Sequence, residues 1–341
     1  MPERTAAEHW ALSGIFVASL LTVIAGAGCT RAPSAPAAAP QTPASTLSAA
    51  DTSTPAADTT VTFAVIGDYG WDDSHERAVA TLVASWHPAF VIATGDDYYS
   101  HAGGTGTGKY DESTGQYYGK WLKDISTTGH RLPVGPASVN GFFPALGNHD
   151  LSDAGIRTYL KYFTLPGAGI PNTSRNERYY DFVEGPVHFF VLDSNEQQIR
   201  GTSSTSTQAL WLKAQLAAST STWNVVYDHH PPYSSDSTHG NSPYMRWPFA
   251  QWGADAVISG HAHVYERIMR NGIPYFINGL GGAPRYAFGK TPVAGSKVRY
   301  RGNWGAQKVV ATTTTLDFDF RSVGGRHVDN FALTATPPAG S

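Results

Sequence analysis

Phe90-Val91-Ile92-Ala93-Thr94-Gly95-Asp96-Asp97-Tyr98-Tyr99 is the stretch on which the reading of this chain turns. Its apolar and β-branched head is too short for a helix and reads as a buried strand. Gly95 then turns the chain out into carboxylates and phenols. The same grammar recurs four times. Residues 61–66 run into Gly67-Asp68, and residues 142–146 run into Gly147-Asn148-His149-Asp150. Residues 225–227 lead to Asp228-His229-His230, and residues 256–259 lead to Gly260-His261-Ala262-His263. Five such ends imply that the strands of one sheet deliver oxygen and nitrogen donors to a single edge. A polar rim of this composition suits two metal ions, a pairing able to activate water against phosphate esters.

Two cations a few ångströms apart repel, so an anion must bridge them. Asp96, placed directly after its strand, is the candidate bridge, and Asp68 is left to cap one ion. Asn148 offers a neutral carbonyl oxygen, while His229, His261 and His263 offer imidazole nitrogens. His261 and His263 lie two apart, which in an extended segment sends both side chains the same way, one to each ion. Tyr99 discriminates among metals. A phenolate is a hard, strongly basic donor suited to a trivalent ion, which points to ferric iron at one position.

Taken together, Gly67-Asp68-Tyr69-Gly70, Gly95-Asp96-Asp97-Tyr98-Tyr99, Gly147-Asn148-His149-Asp150, Val226-Tyr227-Asp228-His229 and Gly260-His261-Ala262-His263 resemble the purple acid phosphatases. These belong to the calcineurin-like metallophosphoesterases, and all five motifs stand in the family's order over residues 67–263. The resemblance implies an α/β fold of the four-layer type, two packed mixed β-sheets flanked by helices, with the metals at the strand carboxyl ends. It implies Fe(III) held by Asp68, Tyr99 and His263, with Asp96 bridging to a divalent ion (Fe, Zn or Mn) on Asn148, His229 and His261. The implied reaction is acid phosphatase chemistry, in-line attack of a metal-bound hydroxide on a small phosphomonoester. His149 would bind phosphate or protonate the leaving oxygen, and His239 resembles the second pocket histidine of many relatives. His230, next to a ligand, faces either pocket or sheet. Asp150 reads as a group that orients its neighbours. A phosphodiesterase or nucleotidase on the same scaffold, and a non-catalytic surface binding protein, are the competing readings.

Bulk properties are those of an ordinary globular protein. The 341 residues are 41% hydrophobic and 15% charged, with a net charge of −3. No basic run offers the footprint that a nucleic-acid partner needs. The lone cysteine, Cys29, closes an apolar stretch over residues 11–28 that ends in small residues, as an export signal does. The arrangement resembles a bacterial lipoprotein signal. It implies export to the periplasm or cell surface and membrane attachment through a lipidated Cys29. Three segments follow: an export signal over 1–29, an Ala/Pro/Ser/Thr linker over 30–60 too poor in bulky apolar residues to fold, and a catalytic domain over 61–335.

Within that domain the spacing predicts helices over 74–86, 154–163 and 207–218. Strands are expected over 178–183 and 187–193, joined at Glu184-Gly185-Pro186, and later over 264–269, 273–277, 309–311 and 313–320. Residues 100–118, rich in Gly and Tyr, read as a mobile loop bordering the substrate entrance. Gly103-Gly104-Thr105-Gly106-Thr107-Gly108-Lys109 matches most of a nucleotide loop, but Tyr110 replaces the required Ser or Thr and no strand feeds it directly. His75, His87, His101, His130, His188 and His327 match no motif, Asp193 reads as a turn or cap residue, and Asn278-Gly279 as a site of close backbone packing.

Overall fold

The computed structural model describes residues 60–123, 125 and 137–336. The export segment, Cys29, the linker up to residue 59 and His130 lie outside the described residues. In chain order the strands are β1 (Val61–Ile66), β2 (Phe90–Ala93), β3 (Phe142–Pro144), β4 (Tyr180–Glu184), β5 (Val187–Val191), β6 (Trp223–Tyr227), β7 (Ala256–Ser259), β8 (Tyr265–Arg270), β9 (Ile273–Asn278), β10 (Ser296–Tyr300), β11 (Gly305–Ala311), β12 (Thr315–Ser322) and β13 (His327–Thr334). The main helices are α1 (Ser74–Ser85), α2 (Ile156–Tyr162) and α3 (Thr207–Ala218).

The strands form two mixed sheets, ordered β13-β12-β11-β1-β2-β3 and β10-β8-β9-β7-β6-β5-β4. In the first, β1, β2 and β3 are parallel. In the second, β5, β6, β7 and β9 are parallel. Parallel neighbours need crossover connections. Helix α1 supplies the one between β1 and β2, opened by Asp73, whose carboxylate accepts from the backbone N–H of His75 and Glu76. The expected architecture of two packed mixed sheets with flanking helices is therefore present. One expectation fails: the five polar strand ends do not belong to one sheet. β1, β2 and β3 lie in the first sheet, β6 and β7 in the second.

Alternation along the strands of the second sheet explains the layering. Phe189, Val191, Val225, Tyr227 and Ile258 pack with Phe63, Val65 and Phe90 of the first sheet in one core. The residues between them, Phe190, Val226 and Val257, join Ala209, Leu212 and Leu216 of α3 in another. A strand buried on both faces reads as a continuous apolar run. Phe63 sits edge-on to Phe189, ring centroids 5.1 Å apart, so the inter-sheet core is largely aromatic.

Local differences from the sequence expectations have identifiable causes. Helix α2 starts at Ile156 rather than 154, because Gly155 has φ 88° and breaks the turn of Asp150–Ala154 before it. Strands β10 and β13 were not anticipated; both alternate partly buried with exposed polar residues and lack an apolar run. Residues 100–118 are not a mobile loop. Beyond the exposed residues 103–106 they wind into helical turns that bury Tyr110, Ser113, Thr114 and Tyr118. Ser113 Oγ donates to Asp97 O at 2.6 Å, and Tyr110 Oη donates to Asp150 Oδ1 at 3.1 Å. Asp97 and Asp150 of the strand-end loops thus take the hydrogen bonds of Ser113 and Tyr110.

Glu76 illustrates what burial costs a carboxyl group. It is fully buried on α1, its Oε2 accepting from Asp72 N at 2.6 Å, and burial pushes it well above the usual carboxylate range. The folded state then holds a proton that the unfolded state releases, so this group costs stability as pH rises through the ordinary carboxylate range. Relative to wild type, Glu76→Gln is expected to gain melting temperature progressively as pH rises above about 4. A pH-independent difference between the two proteins would refute this.

Candidate dimetal site

The site lies where both sets of parallel strands end. Asp68 follows β1, Asp96 follows β2, Asn148 follows β3, His229 follows β6 and His261 follows β7. Asp68, Asp96 and His261 have φ of 55°, 54° and 65°, the left-handed region that L-residues enter at a cost of about 1–2 kcal/mol. Three strained residues at adjacent strand ends mark a site held in place by its surroundings. The left-handed step turns each side chain inward. His261 N donates to Asp68 Oδ2 at 2.9 Å, and His149 N donates to Asp96 Oδ1 at 2.9 Å.

The seven side chains singled out from the sequence converge into two groups. In the first, Tyr99 Oη lies 3.1 Å from Asp96 Oδ2, 3.1 Å from His263 Nε2 and 3.4 Å from Asp68 Oδ1. In the second, His229 Nε2 lies 3.3 Å from Asp96 Oδ2, 3.0 Å from Asn148 Oδ1 and 3.2 Å from His261 Nδ1. Asp96 Oδ2 belongs to both. Neighbouring ligands about 2.1 Å from an octahedral ion stand about 3 Å apart, so the spacings fit first-row cations.

The donor chemistry fits as well. His229 Nδ1 donates to Thr94 O at 2.8 Å and His263 Nδ1 donates to Pro284 O at 2.7 Å. When neutral, both rings therefore aim an Nε2 lone pair into the cluster, His229 at the amide oxygen of Asn148 and His263 at Asp68. Acceptors facing acceptors in a buried place call for cations between them. Burial, then Asp96 and Asp68, hold the Tyr99 phenol well above its ordinary value. Burial works against a charge on His229, but Asp96 outweighs it and lifts the imidazole to about 9. A bound cation would take the place of that proton, so metal uptake would release protons here.

Residues 61–265 match the calcineurin-like phosphoesterase family model. The chain belongs to the calcineurin-like phosphoesterases. Among curated relatives, phosphoenolpyruvate phosphatase of Allium cepa is 25% identical over 229 residues, 62% of this chain and 43% of its own length. Purple acid phosphatase 23 of Arabidopsis thaliana is 25% identical over 232 residues, 61% of this chain and 47% of its own. This phosphoesterase thus spans less than half the length of either relative. A purple acid phosphatase structure from yellow lupin seeds shares the fold with TM-score 0.63 at 16% identity, covering 81% of this chain and 54% of that one. Family membership implies two metal ions, in agreement with the two groups of donors.

Around the paired groups the phosphoesterase places a ring of histidines. His149 is a third exposed; its Nδ1 donates to Asp153 Oδ2 at 2.9 Å, leaving Nε2 uncommitted. The His239 ring lies 4.2 Å from that of His261, and the His230 ring 4.5 Å from it. His230 faces the pocket rather than the sheet. It lines, with Asn148, Asn195, Glu196, His239 and Tyr244, an open pocket of about 460 Å³. Asp150 orients its neighbours as expected, accepting from Gly147 N at 2.9 Å and Asp97 N at 3.3 Å. Asp193 stays out of the cluster, paired with Arg178 Nη2 at 2.6 Å and accepting from Asn195 N at 3.1 Å. Gly279 approaches Ala262 O so closely that no Cβ fits, the close packing expected there.

Ser194 is the functional residue that the sequence did not reveal. Its buried Oγ accepts from His229 N at 3.2 Å and His230 N at 2.9 Å, and lies 3.0 Å from His230 Nδ1. With its lone pairs taken, the hydroxyl proton goes to Nδ1, which leaves an N–H on His230 Nε2. One hydroxyl thereby sets the backbone after β6 and the tautomer of a pocket histidine. Nothing near Ser194 in sequence marks it, since its partners are 35 and 36 residues away. Ser194→Ala is expected to weaken metal binding or turnover about 10–100-fold, read by metal titration and steady-state kinetics. Unchanged values in both would show that the backbone needs no such tie.

Proposed function

We propose that this phosphoesterase hydrolyses phosphomonoesters at an Fe(III)–M(II) centre, M being Fe, Zn or Mn. The observation that carries the reading is Tyr99 Oη within 3.1 Å of both Asp96 Oδ2 and His263 Nε2, in a cluster where its phenol cannot ionise without a strong cation. Asp68, Tyr99 and His263 would hold the ferric ion, Asn148, His229 and His261 the divalent one, and Asp96 both. Bound cations would neutralise phosphate oxygens and lower the pKa of water to make a nucleophile near neutral pH. The protein's own part is orientation and proton handling. The Nε2–H of His230 supplies a donor to the phosphate oxygens, as would His149 Nε2 once that ring is protonated, and His149 or His239 attends the leaving oxygen.

A monoester brings two negative charges and exposes three oxygens, and the excess of imidazoles beyond the metal ligands suits that load. Phenyl phosphate is expected to be hydrolysed at least about tenfold faster, in kcat/KM, than methyl phenyl phosphate. The reverse order would make this a phosphodiesterase. Tyr99→Phe is expected to abolish a visible phenolate-to-iron absorption and to lower the affinity for iron. A colourless oxidised wild type carrying only zinc would defeat the ferric assignment.

A further inference from the structure

Beyond the metal cluster, residues 279–308 contain Arg285, Lys290, Lys297, Arg299, Arg301 and Lys308 but no Asp or Glu. Lys297 and Arg299 sit on β10, an edge strand of the second sheet, where positive charge blocks pairing with other strands. Arg285 and Arg301 need a different account. With Pro284, Gly302 and Trp304 they line an open pocket of about 480 Å³.

Both guanidinium groups are held. Arg285 Nη1 donates to Arg301 O at 2.9 Å, and its guanidinium lies 4.2 Å above the Trp304 ring. Trp304 is itself fixed, donating from Nε1 to Ala283 O at 2.8 Å and stacking on His75 at 3.5 Å. Arg301 Nη1 donates to Tyr286 O at 3.0 Å. These contacts use one terminal nitrogen of each arginine and only carbonyl acceptors. Among the described residues no carboxylate pairs with either, so two solvent-exposed positive charges stand side by side without an acidic partner. Anchored guanidinium groups with donors to spare are preorganised for a carboxylate or phosphate.

The pocket adjoins the catalytic cluster. Pro284 O accepts from His263 Nδ1 at 2.7 Å, and the Tyr286 ring stacks on His263 at 4.0 Å. Arg285 lies between those two residues. The pocket beside Asn148 has the opposite character: Glu196 lines it, and no Lys or Arg does. A second anion on the substrate is unwelcome there and matched at Arg285 and Arg301.

We propose that the Arg285–Arg301 pocket is an anion subsite that takes a second phosphate or carboxylate group of the substrate, so that the preferred esters carry two anionic groups. The proposal rests on the phosphomonoesterase reading, and binding can test it separately. Calorimetry on the metal-loaded full chain would compare hexylphosphonate, which has one anionic group, with hexane bisphosphonate, which has two. Wild type is expected to bind the bisphosphonate about tenfold more tightly, or about 1.4 kcal/mol. In Arg285→Ala/Arg301→Ala the two affinities should converge. The double Arg→Lys variant should keep part of the gain, which separates loss of charge from loss of fold. Equal affinities in wild type, or a gain that survives the double Ala change, would overturn the subsite. Wild type that shows the gain but does not hydrolyse hexyl phosphate would support the subsite while removing the monoesterase reading.

Discussion

Asp96→Asn is expected to cut kcat roughly a thousandfold or more and to leave the protein short of metal. Asp96 Oδ2 stands 3.1 Å from Tyr99 Oη and 3.3 Å from His229 Nε2, the only ligand atom placed against both groups. Two cations held by the two groups would need its negative charge between them, because their mutual repulsion grows in a buried site. The amide offers no such charge. Its geometry is also wrong: Asp96 Oδ1 accepts from His149 N at 2.9 Å. An Asn that turns its oxygen to the metals aims its NH₂ at that N–H. One that turns the other way presents NH₂ to the cations. Metal analysis alongside kinetics decides the matter, and an active, fully metallated Asp96→Asn protein would sink the bridging assignment.

Gly147→Ala is expected to lower kcat/KM about a hundredfold through displacement alone, with every donor residue unchanged. A Cβ at Gly147 would overlap both the backbone nitrogen and Oδ1 of Asp96. Neither atom can step aside, since one is main chain at the end of β2 and the other accepts the His149 N–H. Overpacking of this kind typically costs about 1–3 kcal/mol of stability as well. The variant should therefore melt earlier and bind metal more weakly, although all seven donors are intact. Wild-type turnover in Gly147→Ala would show that the two loops have room to part.

Much of this site is legible in the sequence because strand-end chemistry is local. A short apolar run followed by Gly and then Asp, Asn or His declares both the strand and the donor that it delivers, as with 90–96 and 142–148. Helix α3 was equally plain, with the Ser206 hydroxyl accepting from Ala209 N at 3.2 Å to open it. Residues 100–118 misled for the converse reason. Gly and Tyr spacing there suggests mobility, whereas burial of Tyr110 and Thr114 depends on hydrogen-bond partners supplied by Asp150, Asp97 and Tyr69 from distant loops. Edge strands β10 and β13 escaped notice because a strand exposed on one side needs no apolar run.

Sequence alone determined which donors exist, in what order, and that a phenol stands three residues beyond the candidate anionic bridge. Tertiary structure alone decided how they pair. Tyr99 meets His263 across 164 residues and His261 meets Asp68 across 193, contacts that no local pattern encodes. It also split the five strand ends between two sheets, placed Ser194 behind His229 and His230, and set Arg285 opposite Arg301 beside the cluster. The physical reason is the same in each case. Turn and strand propensities act over a few residues, whereas ligand spacing, tautomer and charge compensation are set by whatever the packed sheets bring alongside.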